Sequence, residues 1–155
     1  MMKQAMLFIL SMTFFLSINA QTTDKVLEKN KAFTGAKPTR KSYHVIYQLD
    51  NGDPKSIEKA IRNINNALSD TRIAGKVKIE MIAFSGGTDA YMKGSKYEED
   101  IKSLAEKGVI VAQCANTLRE RKISTDQIYN FIAIVPSANG ELIIRAGEGW
   151  TIIKP

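Results

Sequence analysis

The sequence predicts an α/β domain, with a mostly parallel sheet of about five strands layered between helices. Short runs rich in β-branched and aromatic residues alternate with segments whose apolar residues recur at helical spacing. Lys76–Phe84 begins by alternating and then becomes continuously apolar, as a strand covered on both faces does. Capping and turn signals separate the runs, so successive strands are joined by right-handed crossovers with helices on both faces of the sheet.

The first twenty residues read as a leader rather than as part of the fold. Lys3 gives a small positive start, Ala5–Leu16 is an apolar core of signal-peptide length, and Ser17–Ala20 offers a small-residue cleavage site before Gln21. The apolar run is shorter than the roughly 20 residues a membrane span needs. No cysteine follows the cleavage site to take a lipid. The expectation is an exported, periplasmic protein cut after Ala20 and not held at the membrane. Removing residues 1–20 from the 155 leaves 135, enough for one domain with a core. Gln21–Lys41 shows no useful periodicity, is rich in Lys and Arg, and reads as a flexible lead-in to a domain over 42–155.

Within that domain, Ser42–Leu49 reads as the first strand. Its His44 is the only histidine, without a partner for a metal pair, and reads as structural. Asp53 and Pro54 form a helix start, N-cap then first turn. Ile57, Ile61, Ile64 and Leu68 make the apolar stripe of a helix over Pro54–Ser69. Lys76–Phe84 is the second strand, and Ser85–Ser95 is a flexible turn at its carboxyl end, where open α/β sheets bind ligands. Ser95 and Glu98 match a capping box for a helix to Lys107, closed by Gly108. Val109–Gln113 is the third strand, and the residues after Cys114 start a helix. Ser124–Gln127 is another cap, and Phe131–Pro136 a fourth strand. Residues 137–148 fit two readings: a hairpin at Asn139-Gly140, or a helix stopped by Gly149. Trp150–Ile153 is the last strand.

Chemistry concentrates at Cys114, the only cysteine. A thiol between a strand end and a helix start meets unpaired N–H groups that favour thiolate. Arg119, Arg121 and Lys122 add positive charge nearby. A buried, inert cysteine is the other reading of the same position. One cysteine in an exported chain excludes an intramolecular disulfide and leaves a free thiol or an intermolecular partner. Gly86-Gly87 gives backbone N–H groups access to an anion, or simply makes a turn. The net charge of +6 is dispersed among acids, which argues against a nucleic-acid partner. Nothing in the sequence calls for a metal, flavin or nucleotide cofactor.

Cys114–Leu118 with Arg121 and Ile123, the ending Gly149–Pro155, Pro136-Ser137 before a helix, and the Ser85–Gly87 loop together resemble the DsrE/DsrF-like sulfur-relay family. This chain differs in having Lys122 where the family often has glycine, and Ser85 where it often has histidine. The resemblance implies a flavodoxin-like three-layer domain, assembled as a trimer or hexamer. It also implies that Cys114 accepts sulfane sulfur as a persulfide from a donor protein and passes it to an acceptor. Ser85, Gly86, Gly87, Asn116, Thr117, Arg119 and Arg121 would then form its substrate-binding surroundings. The alternative is a non-catalytic oligomeric module that binds a small ligand or a protein. A third option is a thiol that senses oxidation by dimerising through Cys114.

Overall fold

In a computed structural model that describes residues 23–155, the chain divides into two units, one ending at Lys37 and one spanning Pro38–Pro155. The expected leader and its cleavage site lie outside the described residues. In the first unit residues 23–31 are helical and fully on the surface, an element that the residue pattern does not announce.

The second unit follows the expected order: β1 (Tyr43–Leu49), α1 (Pro54–Ser69), β2 (Val77–Ala83), a 3-10 turn (Ser85–Tyr91), α2 (Glu98–Glu106), β3 (Ile110–Cys114), α3 (Ala115–Glu120), a second 3-10 turn (Thr125–Gln127), β4 (Ala133–Val135), α4 (Ala138–Gly147) and β5 (Thr151–Ile153). α1 begins where its signals put it, with Asp53 accepting from the Ser56 N–H and Pro54 in the first turn. It buries Ile57, Ala60, Ile61 and Ile64, each isoleucine contributing about 1.5–3 kcal/mol relative to exposure. Residues 138–147 are helical and the hairpin alternative does not form. Ser137 caps this helix by accepting from Gly140 N–H. Gly149 at φ +82 lets the chain turn out of it.

Two local expectations change. The Ser95–Glu98 capping box is absent: α2 starts at Glu98, behind Tyr97, with no side-chain cap. Ser95 Oγ instead accepts from Tyr97 N–H and donates to the Ala90 carbonyl, closing a tight turn. The Ser85–Tyr91 segment is not a loose turn either, because Gly87, Thr88, Ala90 and Tyr91 are buried within it.

All five strands are parallel, in the order β4-β3-β2-β1-β5. The handedness of crossovers then decides which face each helix covers. The steps β1 to β2 to β3 to β4 run in one direction and place α1, α2 and α3 on one face. The return from β4 to β5 runs the other way and places α4 on the opposite face. The core follows this division. The larger cluster joins Ile57, Ile64, Ile101, Leu104 and Leu118 to the first face. The smaller one sets Ala138 and Leu142 of α4 on Ile46, Ile82, Ala112 and Cys114. The result is the three-layer α/β architecture expected, with one layer much thinner than the other.

Candidate functional site

Outgoing connections diverge between β3 and β4: the chain leaves β3 towards the first face and β4 towards the second. Such a reversal opens a crevice at the carboxyl ends of the two strands, the usual place for a ligand in an open α/β sheet. Cys114 ends β3 and pairs with Val135 of β4. A cleft of about 420 Å³ lies here, lined by Cys114, Asn116 and Thr117 after β3, by Ser137, Ala138 and Asn139 after β4, and by Phe84, Ser85 and Gly86 after β2. Glu120 and Arg121 complete it.

Cys114 is the N-cap of α3 but makes no side-chain capping bond to that helix. Its Sγ instead accepts a hydrogen bond from the Ala138 N–H, the first of α4, at 3.3 Å. The residue is only 4% exposed. Burial pushes the thiol pKa up, but the N–H groups of Thr117, Ala138 and Asn116 and the Thr117 hydroxyl together outweigh it. The net result is a pKa below the ordinary thiol value. The Ala138 N–H is bonded to the sulfur, whereas the Asn116 and Thr117 groups at the start of α3 act on it electrostatically without a capping bond, and the parallel topology is what brings the two helix starts to one place. Beneath it, Gln113 Nε2 donates to the Cys114 carbonyl and to the Thr88 hydroxyl, both at 3.0 Å, and anchors the strand end from the opposite face.

The wall facing Cys114 is the start of the 3-10 turn. Ser85 has φ +50, a left-handed conformation that costs a serine energy unless its surroundings hold it. Its N–H donates to Thr117 Oγ1 at 3.0 Å, and its carbonyl accepts from Arg121 Nη1 at 2.9 Å. The paired glycines meet a steric requirement. A Cβ at Gly87 would sit 1.8 Å from the Leu49 carbonyl oxygen, and one at Gly86 would sit 2.8 Å from the Gly52 nitrogen. The backbone of β1's exit and this turn touch, and only glycine permits it.

Cys114, Ser85, Gly86, Asn116, Thr117 and Arg121 are therefore gathered at one cleft. Gly87 and Arg119 are not among its lining residues. Gly87 is turned to the core side against Leu49, and Arg119 donates to Asn116 Oδ1 at 2.8 Å on the surface. Ser137, Ala138, Asn139, Glu120 and Phe84 are not among the site residues the sequence suggests, although Ser137 belongs to one of the motifs that carry the resemblance and Asn139 to the hairpin signal. The signal for the first three was Ser137 as a helix cap, which the hairpin reading of Asn139-Gly140 obscured. A second cleft, of about 530 Å³, shares Ser85 and Gly86 with the first and opens beside Asp50, Asn51, Ser56 and Lys154. Among the described residues no cluster of His, Cys, Asp or Glu is arranged to hold a metal ion.

Comparison with known proteins fits this geometry. The DsrE/DsrF-like family matches residues 56–155, which include the whole cleft. The chain belongs to the DsrE/DsrF-like family. Among solved structures it is similar to the protein of unknown function MTH1491 from Methanobacterium thermoautotrophicum, with 31% identity and a TM-score of 0.69 over 74% of this chain and 100% of that one. It also resembles the ychN protein from E. coli, with 16% identity and a TM-score of 0.59 over 74% of this chain and 99% of that one. BT1422 from Bacteroides thetaiotaomicron gives 12% identity and a TM-score of 0.53 over 72% and 94%. These last two likenesses concern the fold alone. Among curated proteins none matches the chain.

Proposed function

We propose that this DsrE/DsrF-like protein is a sulfur carrier in which Cys114 holds sulfane sulfur as a persulfide and hands it to an acceptor. The observation that carries the reading is the Ala138 N–H bonded to Cys114 Sγ at 3.3 Å where two helix starts meet, a setting that favours an anionic sulfur in a cleft with room beside it. In the loading step the Cys114 thiolate attacks the outer sulfur of a donor persulfide. A sulfur–sulfur bond forms on Cys114 as the donor's own breaks, and the donor leaves as a thiolate. No external oxidant is needed, because the sulfane sulfur keeps its oxidation state. Unloading is the same exchange with the acceptor thiolate attacking. The cleft beside Sγ has room for the terminal sulfur of the persulfide.

The carrier works as an exported homo-oligomer in this reading. Export rests on the leader pattern of residues 1–20. Assembly rests on the thin α4 layer. Ile143 and Ile144 of α4 are 72% and 57% exposed, and Ile110 and Ile152, on the same face of the sheet by strand register, are 44% and 41% exposed. One observation favours a second reading, a non-catalytic binding module: Cys114 is nearly buried, as an inert cysteine would be. Cyanolysis separates the two. After incubation with polysulfide and removal of excess reagent, a carrier releases thiocyanate in step with protein, and Cys114→Ser releases none. Equal release from both proteins, or none from either, rejects the carrier.

A further inference from the structure

Arg121 lines the Cys114 cleft, yet its guanidinium is committed elsewhere. Nη1 donates to the Ser85 carbonyl at 2.9 Å and Nη2 to the Asp89 carboxylate at 2.7 Å. The ion pair is part-exposed, at 36% and 49%, so it contributes little net stability. What it fixes is geometry. Ser85 is held at φ +50 by two bonds, one from Arg121 to its carbonyl and one from its own N–H to Thr117 Oγ1. A hydroxyl has one proton to give and two lone pairs. With the Ser85 N–H on one lone pair of Thr117, the proton is left for another acceptor. Thr117 stands three residues after Cys114 at the start of α3, both line the cleft, and the Thr117 hydroxyl is among the groups that hold the thiol pKa down.

We propose that Arg121 is a positioning residue for Cys114: by fixing the Ser85 turn it keeps the Thr117 hydroxyl oriented with its proton towards the sulfur. The arginine then acts through Thr117 and not as a bare charge on the thiolate. The charge distribution agrees. Among the described residues, the only charged side chains lining the cleft are Glu120 and Arg121, the helix α4 side contributes uncharged Ser137, Ala138 and Asn139, and the Asp89 carboxylate opposes the Arg121 charge. The proposal rests on the reading of Cys114 as a working thiolate and assigns the groups that keep it so.

The test is the pH dependence of Cys114 alkylation by iodoacetamide in the full chain, for wild type, Thr117→Val, Arg121→Gln, Arg121→Lys and the Thr117→Val/Arg121→Gln double variant. Thr117→Val and Arg121→Gln should each move the midpoint upward and slow alkylation at neutral pH by about tenfold, the effect of one pKa unit. The double variant should be no slower than Thr117→Val alone, since both changes remove one contribution. Arg121→Lys, keeping a donor for Ser85, should recover part of the rate. The Arg121→Gln shift should persist in high salt. An unchanged profile in Arg121→Gln overturns the proposal, as do additive effects in the double variant or a shift abolished by salt, which would mark direct charge action. Should Arg121→Gln fail to fold, Asp89→Asn releases the same guanidinium from one side, and a profile identical to wild type overturns the proposal. Sulfur loading is read separately. Expected profiles without loading would reject the carrier alone, and normal loading with flat profiles would reject the positioning role alone.

Discussion

At the scale of single residues, two backbone positions separate this chain from a generic α/β domain. Lys122 follows α3 at φ +56, a conformation that suits glycine, and the resemblance noted in the sequence places glycine there. Replacing it with glycine removes left-handed strain of about 1–2 kcal/mol and adds about 0.5–1 kcal/mol of unfolded-state freedom. Lys122→Gly should therefore stabilise the protein by up to about 1.5 kcal/mol, seen as a higher urea midpoint at unchanged slope. Gly87→Ala should do the opposite. Its methyl would meet the Leu49 carbonyl at 1.8 Å, and the forced shift should cost about 3 kcal/mol or leave no cooperative unfolding transition. Cys114 was legible as the central residue because it is unique and sits at a strand-to-helix change. The role of Gly86-Gly87 was not legible, because the backbone it touches comes from β1, far away in sequence. Arg121 was legible as a cation near Cys114, but not as the partner of Asp89, which belongs to another element.

At the scale of elements, α4 is the one whose place matters most, since it brings the Ala138 N–H to the sulfur. An ionic cluster holds its far end. Arg145 bonds Glu80 of β2 at 2.7 Å, Glu141 at 2.9 Å and Glu148 at 3.2 Å, and its guanidinium lies 4.2 Å from the Trp150 ring. Glu80 is 1% exposed, with Oε1 unpartnered among the described groups. Burial raises the Glu80 pKa and Arg145 opposes that rise. A raised carboxyl pKa means that stability is lost as pH climbs through the folded value and is regained below it. Arg145→Met removes the opposing charge and raises that pKa further. The variant should lose about 3 kcal/mol at neutral pH, with a smaller loss at mildly acidic pH, where Glu80 takes up a proton. Denaturant melts at the two pH values check this, and a loss that grows on acidification would contradict it. α1 was legible to the residue, because its stripe, cap and proline all agree. α2 began later than expected, because Ser95 spends its hydroxyl on a turn. α4 stayed open between helix and hairpin because Asn139-Gly140 serves a hairpin and a helix's first turn equally well.

At the scale of the whole molecule, the strand order could not be read from the chain. Alternation of strands and helices implies a parallel sheet, but not that four strands step one way and the fifth returns beside β1. That return is what opens the crevice at Cys114 and leaves one face thinly covered by α4. The assembly proposal makes this face an interface between copies. Ile143→Glu combined with Ile144→Lys should then lower the mass seen by sedimentation to that of a single chain while leaving the circular dichroism spectrum unchanged. A monomeric wild type, or an unaltered oligomer in the variant, contradicts the assignment. Intact mass spectrometry of the protein after polysulfide treatment, beside Cys114→Ser, reads sulfur carriage at Cys114 itself. A sulfur carrier should gain sulfur on the wild type alone, reversed by dithiothreitol. No gain on a thiol shown to be open to alkylation, or an equal gain on the serine variant, would contradict it.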